Sequence, residues 1–73
     1  MDIITLIQTL SKREKEIVMK VIEGSSNKVI ANALFISERT VKFHCANVYR
    51  KLNIQNRTTL IAQYYRAMYS RAS

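Results

Sequence analysis

Proline and tryptophan are absent from this chain, and glycine, cysteine and histidine occur once each. Each shortage removes a class of protein. With no proline and 48% hydrophobic residues, the composition suits a helical domain and not a disordered tail. One cysteine cannot close an internal disulfide, so a reducing compartment is expected. His44 and Cys45 are adjacent and are the sole residues of their kinds. They fall short of the three or four ligands of a zinc site and leave catalysis without a second histidine. Both are expected at the edge of a core. There is no glycine-rich phosphate loop and no pair of carboxylates at a useful spacing. Neither an enzyme nor a cofactor is expected. No stretch approaches the ~20 apolar residues of a membrane span. The N-terminus has no basic region ahead of an apolar run, so it does not read as a secretory signal.

Acidic residues run out halfway. Residues 1–38 hold five acidic and five basic side chains. Residues 39–73 hold Arg39, Lys42, Arg50, Lys51, Arg57, Arg66 and Arg71, and no acidic group. The whole excess of +7 therefore lies in the second half. Such a one-sided field suits a polyanion. A solvated basic face is the plainer reading, and RNA or a membrane surface would also attract it. At 73 residues the chain allows one small domain. A domain this small buries only ~60% of the surface its unfolded chain exposes, so its stability is marginal.

What is present is helical patterning. Ile3, Ile4, Leu6, Ile7 and Leu10 follow helical spacing behind Asp2, a possible cap. This predicts a helical turn or two covering the core. Ser11-Lys12-Arg13-Glu14 is a capping box and opens a helix over residues 12–23, with Ile17, Val18, Val21 and Ile22 as its apolar stripe. Gly24 sits where a helix ends in the left-handed conformation. Ser26 caps a helix over 27–34, buried through Ile30, Ala31 and Leu34. Ser37 caps another over 38–52, with Ile36 and Val41 placed as a hydrophobic staple and Glu38 at the positive end of the dipole. A last helix is expected over about 57–69, with Leu60, Ile61, Tyr64, Tyr65 and Met68 apolar.

Two helices joined by three residues have the spacing of a helix-turn-helix, whose second helix enters a major groove. In that second helix Val41, Cys45, Val48 and Leu52 share one side at 100° per residue, with His44 at its edge. The opposite side carries Arg39, Phe43, Ala46 and Arg50, flanked by Lys42 and Asn47. A phenyl ring among arginines is out of place on a solvated face. On a groove face it has a use, because a ring can press on a thymine methyl. The alternative is a ring folded over Val41 or a lysine stem.

The segments "LSKREKEIV", "EGSSNKVIANALFISERTVKFH" and "NVYRKLNIQNRTTLI" together resemble the LuxR-type DNA-binding domain, over roughly residues 10–67. The resemblance implies an all-α fold of four helices. A short helical extension would occupy residues 1–9, the helix-turn-helix about 27–46 and a C-terminal dimerisation helix about 57–69. It implies a bacterial transcription regulator, more often an activator, that binds duplex DNA as a homodimer. It further implies a place in the cytoplasm at the nucleoid, and RNA polymerase as a possible partner. The chain looks like a stand-alone member or an excised domain. The family's base-facing positions match Lys42, Phe43 and Ala46. Val29 stands where the family often has Glu, and Ala46 where a longer polar residue is frequent, so readout from position 46 should be weak and apolar.

The remaining candidates follow from position and chemistry. Arg39, near the start of its helix, can reach a base edge. Lys42 can take guanine or a phosphate, with phosphate favoured for a flexible point charge. Asn47 borders the base-facing set. Arg50 and Lys51, at the far end, suit the DNA backbone. Ser37 and Thr40 can combine capping with phosphate contact. Asn27 and Lys28 begin a helix, where an anion is favoured. Arg57 opens a helix against its dipole, so a phosphate or a carboxylate such as Glu14 should hold it, with the internal pair preferred. Tyr64, Tyr65, Met68 and Tyr69 crowd one helix as core, as interface surface, or as both. Two rivals to a DNA-binding regulator stay open. One is a protein-interaction module like the polymerase-docking domain of sigma factors. The other is a basic RNA-binding domain, against which counts the lack of an aromatic platform.

Overall fold

The computed structural model describes residues 2–72. All regular structure among them is helical: α1 (Ile3–Ile7), α2 (Lys12–Ile22), α3 (Asn27–Leu34), α4 (Glu38–Lys51) and α5 (Arg57–Ala72). The expected four-helix domain is there as α2 to α5. The N-terminal apolar run adds a fifth, short helix, because Ile3 and Ile7 bury their side chains with Leu10 behind them.

Side-chain caps start the helices as their sequences dictate. Asp2 accepts from the Thr5 amide at 3.0 Å. Ser26 accepts from Val29 and Ser37 from Thr40. At α2 the capping box is complete: the Ser11 amide donates to Glu14 Oε1 at 2.9 Å and the Glu14 amide to Ser11 Oγ at 3.2 Å. Each bond satisfies an amide that a helix start leaves without a partner.

Three helices stop in one way, on three different residues. Gly24, Phe35 and Asn53 all have left-handed backbones, with φ of 92°, 58° and 55°. The residue after each donates back into the preceding helix, Ser25 to Lys20, Ile36 to Ala31 and Ile54 to Tyr49. That is the Schellman closure. Glycine suits it and asparagine tolerates it, but a phenylalanine there is strained. Phe35 is also 95% exposed, so the ring returns no packing. Phe35→Gly should therefore raise stability by about 0.5–1 kcal/mol. A thermal melt would register a rise of roughly 3–6 °C for a domain of this size. An unchanged or lowered midpoint would show that the ring holds something in place.

The core lies where α2 meets α3, α4 and α5. Ile17, Val18, Val21, Ile30, Val41, Val48 and Leu60 are almost completely enclosed there. Each contributes roughly 1.5–3 kcal/mol of burial. The expected buried side of α4 is confirmed by Val41, Cys45, Val48 and Leu52, with His44 partly covered. Two expectations are corrected. Leu34 is half-buried. The apolar face of α5 divides: Leu60 is buried and Ile61, Tyr64 and Ala67 pack partly on the core, while Tyr65 and Met68 point away from it. The helix also runs three residues beyond the expected end, because α1 packs against it. Asp2 and Arg71 close that contact at 3.0 Å, which holds the Asp2 carboxyl down at about 2, chiefly through the arginine's hydrogen bonds.

Candidate nucleic-acid interface

The helix-turn-helix pair is α3 and α4. Ser37 closes the turn by capping α4, and its hydroxyl lies 2.9 Å from that of Thr40. With Val41, Cys45 and Val48 turned inward, the other side of α4 faces solvent. Arg39, Lys42, Phe43, Ala46 and Arg50 are all exposed there, and Asn47 is half-exposed. Phe43 keeps 64% of its surface in water. Its ring meets His44 edge-on at 5.8 Å and is not part of the core.

Some polar candidates are already engaged inside the chain. Asn47 Oδ1 accepts from Arg50 Nη2 at 2.8 Å, so an expected base-facing residue and an expected backbone-facing one are tied together on the surface. Asn27 Oδ1 accepts from Arg57 Nη1 at 3.1 Å, and the Ser25 carbonyl accepts from Arg57 Nη2. The preferred Arg57–Glu14 pair is thereby overturned. Arg57 is internal as expected, but its partners are neutral. Glu14 is instead held by Lys51, whose ammonium donates to both carboxylate oxygens at 3.0 and 2.9 Å. Lys51 was expected to face a DNA backbone; the structure commits its charge to α2. Lys28 is exposed at the start of α3.

On α5 the four crowded side chains separate. Tyr64 is partly buried against the core and meets Tyr65 edge-on at 5.6 Å. Tyr65, Met68 and Tyr69 are 56%, 45% and 78% exposed. Three large side chains with apolar surface thus lie along the outer side of one helix. No group of metal-ligating side chains occurs among the described residues, and none of their helices is long and apolar enough to cross a membrane.

Residues 8–63 match the family model of GerE, the luxR family of bacterial regulatory proteins. The chain belongs to the LuxR family. Similar proteins include the uncharacterized transcriptional regulatory protein YhcZ of Bacillus subtilis, 51% identical over 67% of this chain and 23% of that protein. The CsgBAC operon transcriptional regulatory protein of Escherichia coli is 49% identical over 73% of this chain and 24% of that protein. The transcriptional regulatory protein DegU of Brevibacillus brevis is 39% identical over 78% and 24%. The chain spans about a quarter of the length of these relatives. The LuxR-family match stops before residue 64 and starts after α1. Tyr64, Tyr65, Met68 and Tyr69 lie just outside it.

Two residues at this LuxR-type surface escaped the sequence reading. Tyr49 belongs with Lys42, Cys45 and Ala46, at steps of three and four along α4, and with them lines one cleft. That spacing is visible in the sequence, but it lies on the flank between the buried side of α4 and the side opposite it. Phe35 gave no local signal, because a left-handed phenylalanine contradicts its own propensity.

Proposed function

We propose that this domain binds duplex DNA sequence-specifically and regulates transcription. The observation that carries the reading is the solvent-facing side of α4. It presents Phe43, still 64% exposed, beside Lys42, Arg39 and Ala46, and no acidic residue follows Glu38. In this reading α4 lies in the major groove. Arg39, Lys42, Phe43, Ala46 and Asn47 face bases, and Asn27, Lys28, Ser37, Thr40 and Arg50 face the backbone. Lys51 is left out of that set, because its charge is engaged by Glu14. Two protomers pair through Tyr65, Met68 and Tyr69 of α5, with Tyr64 supporting them from the core side. Activation through contact with polymerase, in the bacterial cytoplasm at the nucleoid, is the sense of regulation proposed. The names of the relatives, all transcriptional regulators, support the same reading.

The ring supplies the test. Phe43→Ala should relax preference at one or two A·T positions by roughly fivefold, while affinity for unrelated duplexes stays nearly intact. An apolar contact to a thymine methyl carries base information, and phosphate contacts carry the charge-dependent affinity. Site selection from a random duplex pool, run on both proteins, gives the two preference matrices. Identical matrices would remove Phe43 from the groove.

A further inference from the structure

Arg57 is a half-buried cation that forms no ion pair among the described residues. Its two hydrogen-bond partners, Asn27 Oδ1 and the Ser25 carbonyl, are neutral. The nearest candidate carboxylate by sequence expectation, Glu14, is taken by Lys51. Arg57 also lines a cleft of about 230 Å³ with Asn27, Lys42, Cys45, Ala46 and Tyr49. Three helices meet in this cleft: the start of α3, the flank of α4 and the start of α5. Its polar lining is made of donors. Arg57 has five N–H groups, and the Asn27 amide keeps its NH₂ because its oxygen is the atom in use. Lys42 brings three more N–H donors. Cys45 and Tyr49 are hydrogen-bonded to each other. Burial pushes both of their pKa values up, so both stay protonated at neutral pH. The Tyr49 phenol is the donor of that bond, and its O–H can rotate from the weakly accepting sulfur to an anion at the cleft mouth. No acidic side chain lines the cleft.

We infer that this cleft seats one phosphate of the DNA backbone, held by Arg57, Tyr49 and Asn27, with Lys42 closing it from the groove side. The inference rests on the DNA-binding reading and adds to it two residues, Tyr49 and Arg57. A backbone phosphate fits better than a free one, because Lys42 and Ala46 belong both to the cleft and to the exposed side of α4. A strand passing along that side brings its phosphates to the cleft mouth. Arg57 then does two tasks. It ties α5 to the start of α3 through Asn27 and Ser25, and it gives the half-buried positive charge an anion only when DNA is bound. The domain would thus sense the position of the strand at the joint between its groove-reading pair and α5.

The test is a scan of methylphosphonate substitutions, each of which neutralises one phosphate of a bound duplex, run on wild type, Tyr49→Phe and Arg57→Lys. In wild type, one position in each half-site should cost roughly tenfold in affinity, as expected for a charge-assisted hydrogen-bonded contact. In both variants the penalty at that position should shrink towards zero, while penalties elsewhere stay as in wild type. Tyr49→Phe keeps the half-buried ring and carries the test alone if Arg57→Lys does not fold by circular dichroism. Binding with equal penalties in variants and wild type at every position would overturn this assignment and leave the DNA-binding reading standing. Failure to bind any duplex would overturn both. Inorganic phosphate is the second probe. The duplex should shift the Tyr49 ring resonances in an NMR spectrum, and free phosphate at matched ionic strength should not. An equal shift with free phosphate would make the cleft a general anion site and overturn its assignment to the DNA backbone.

Discussion

Glu14→Ala should lower stability by about 2 kcal/mol, the sum of a lost capping contact and a lost ion pair that is screened at the lysine end. For a domain of this size the melting midpoint should fall by roughly 10 °C. One carboxylate serves two groups through three hydrogen bonds. It accepts from the Ser11 amide, and it accepts from the Lys51 ammonium through both oxygens. Lys51 lies 37 positions away in sequence, so the pair fastens the start of α2 to the end of α4. The carboxylate end is only 5% exposed, and the lysine end is half-exposed. Glu14→Gln should cost less, about 1 kcal/mol, because an amide oxygen can still accept at the cap.

The same pair predicts a pH dependence. The Ser11 amide, and next the Lys51 ammonium, hold the Glu14 carboxyl below its usual range. Between the folded and unfolded values, the unfolded chain binds more protons. The contribution of Glu14 is therefore fully present above the unfolded value of about 4.3 and is lost as pH falls through the folded one. The gap in midpoint between wild type and Glu14→Gln should be constant near neutrality and close below about pH 4. A gap that survives unchanged into acid would show that Glu14 acts by its shape and not by its charge.

Tyr65→Asp and Met68→Asp should reduce binding to a full, two-fold site by roughly tenfold or more, and binding to a half-site much less. Both side chains are exposed, at 56% and 45%, so a charge there leaves the monomer's core intact. In a pair related by two-fold symmetry the same charge meets its own copy across the contact. The domain is small, and DNA would bring two protomers together at high effective concentration, so a weak contact suffices to give cooperativity. Tyr64→Asp is the useful contrast. Tyr64 packs against the core, so this change should damage folding as seen by circular dichroism. Equal losses on half and full sites, in a folded Tyr65→Asp protein, would remove α5 from the contact between protomers.

Caps and periodicity made most of the fold legible. Ser11 with Glu14, Ser26 and Ser37 each start a helix where a short polar residue before an apolar pattern says one should start. Gly24 ends one for the reason its type suggests. The buried side of α4 followed from the recurrence of Val41, Cys45 and Val48. Long-range polar pairing was not legible. The sequence suggests Glu14 as a partner for Arg57, yet α4 brings Lys51 to Glu14 and α3 brings Asn27 to Arg57. Such pairings depend on how helices cross, and spacing along one chain carries no record of it. The division of Tyr64 from Tyr65 and Met68 was hidden for a related reason. A helix that is apolar over a wide arc does not declare which part is buried until its neighbours are placed. The exposed set on α4 was readable because its opposite side was so plainly core. The cleft beside it was not, because Asn27 and Arg57 of its lining come from the starts of two other helices.

The exposed side of α4 is proposed to recognise duplex DNA sequence-specifically. Selection of binding sites from a random duplex pool with the purified protein tests it most directly. The expected result is an enriched pseudo-palindrome whose half-sites lie about one helical turn apart, roughly 34–36 Å, with A·T pairs where Phe43 reaches. A pool that shows no enrichment over rounds of selection, with single-stranded RNA held as tightly as duplex in the same assay, would contradict it.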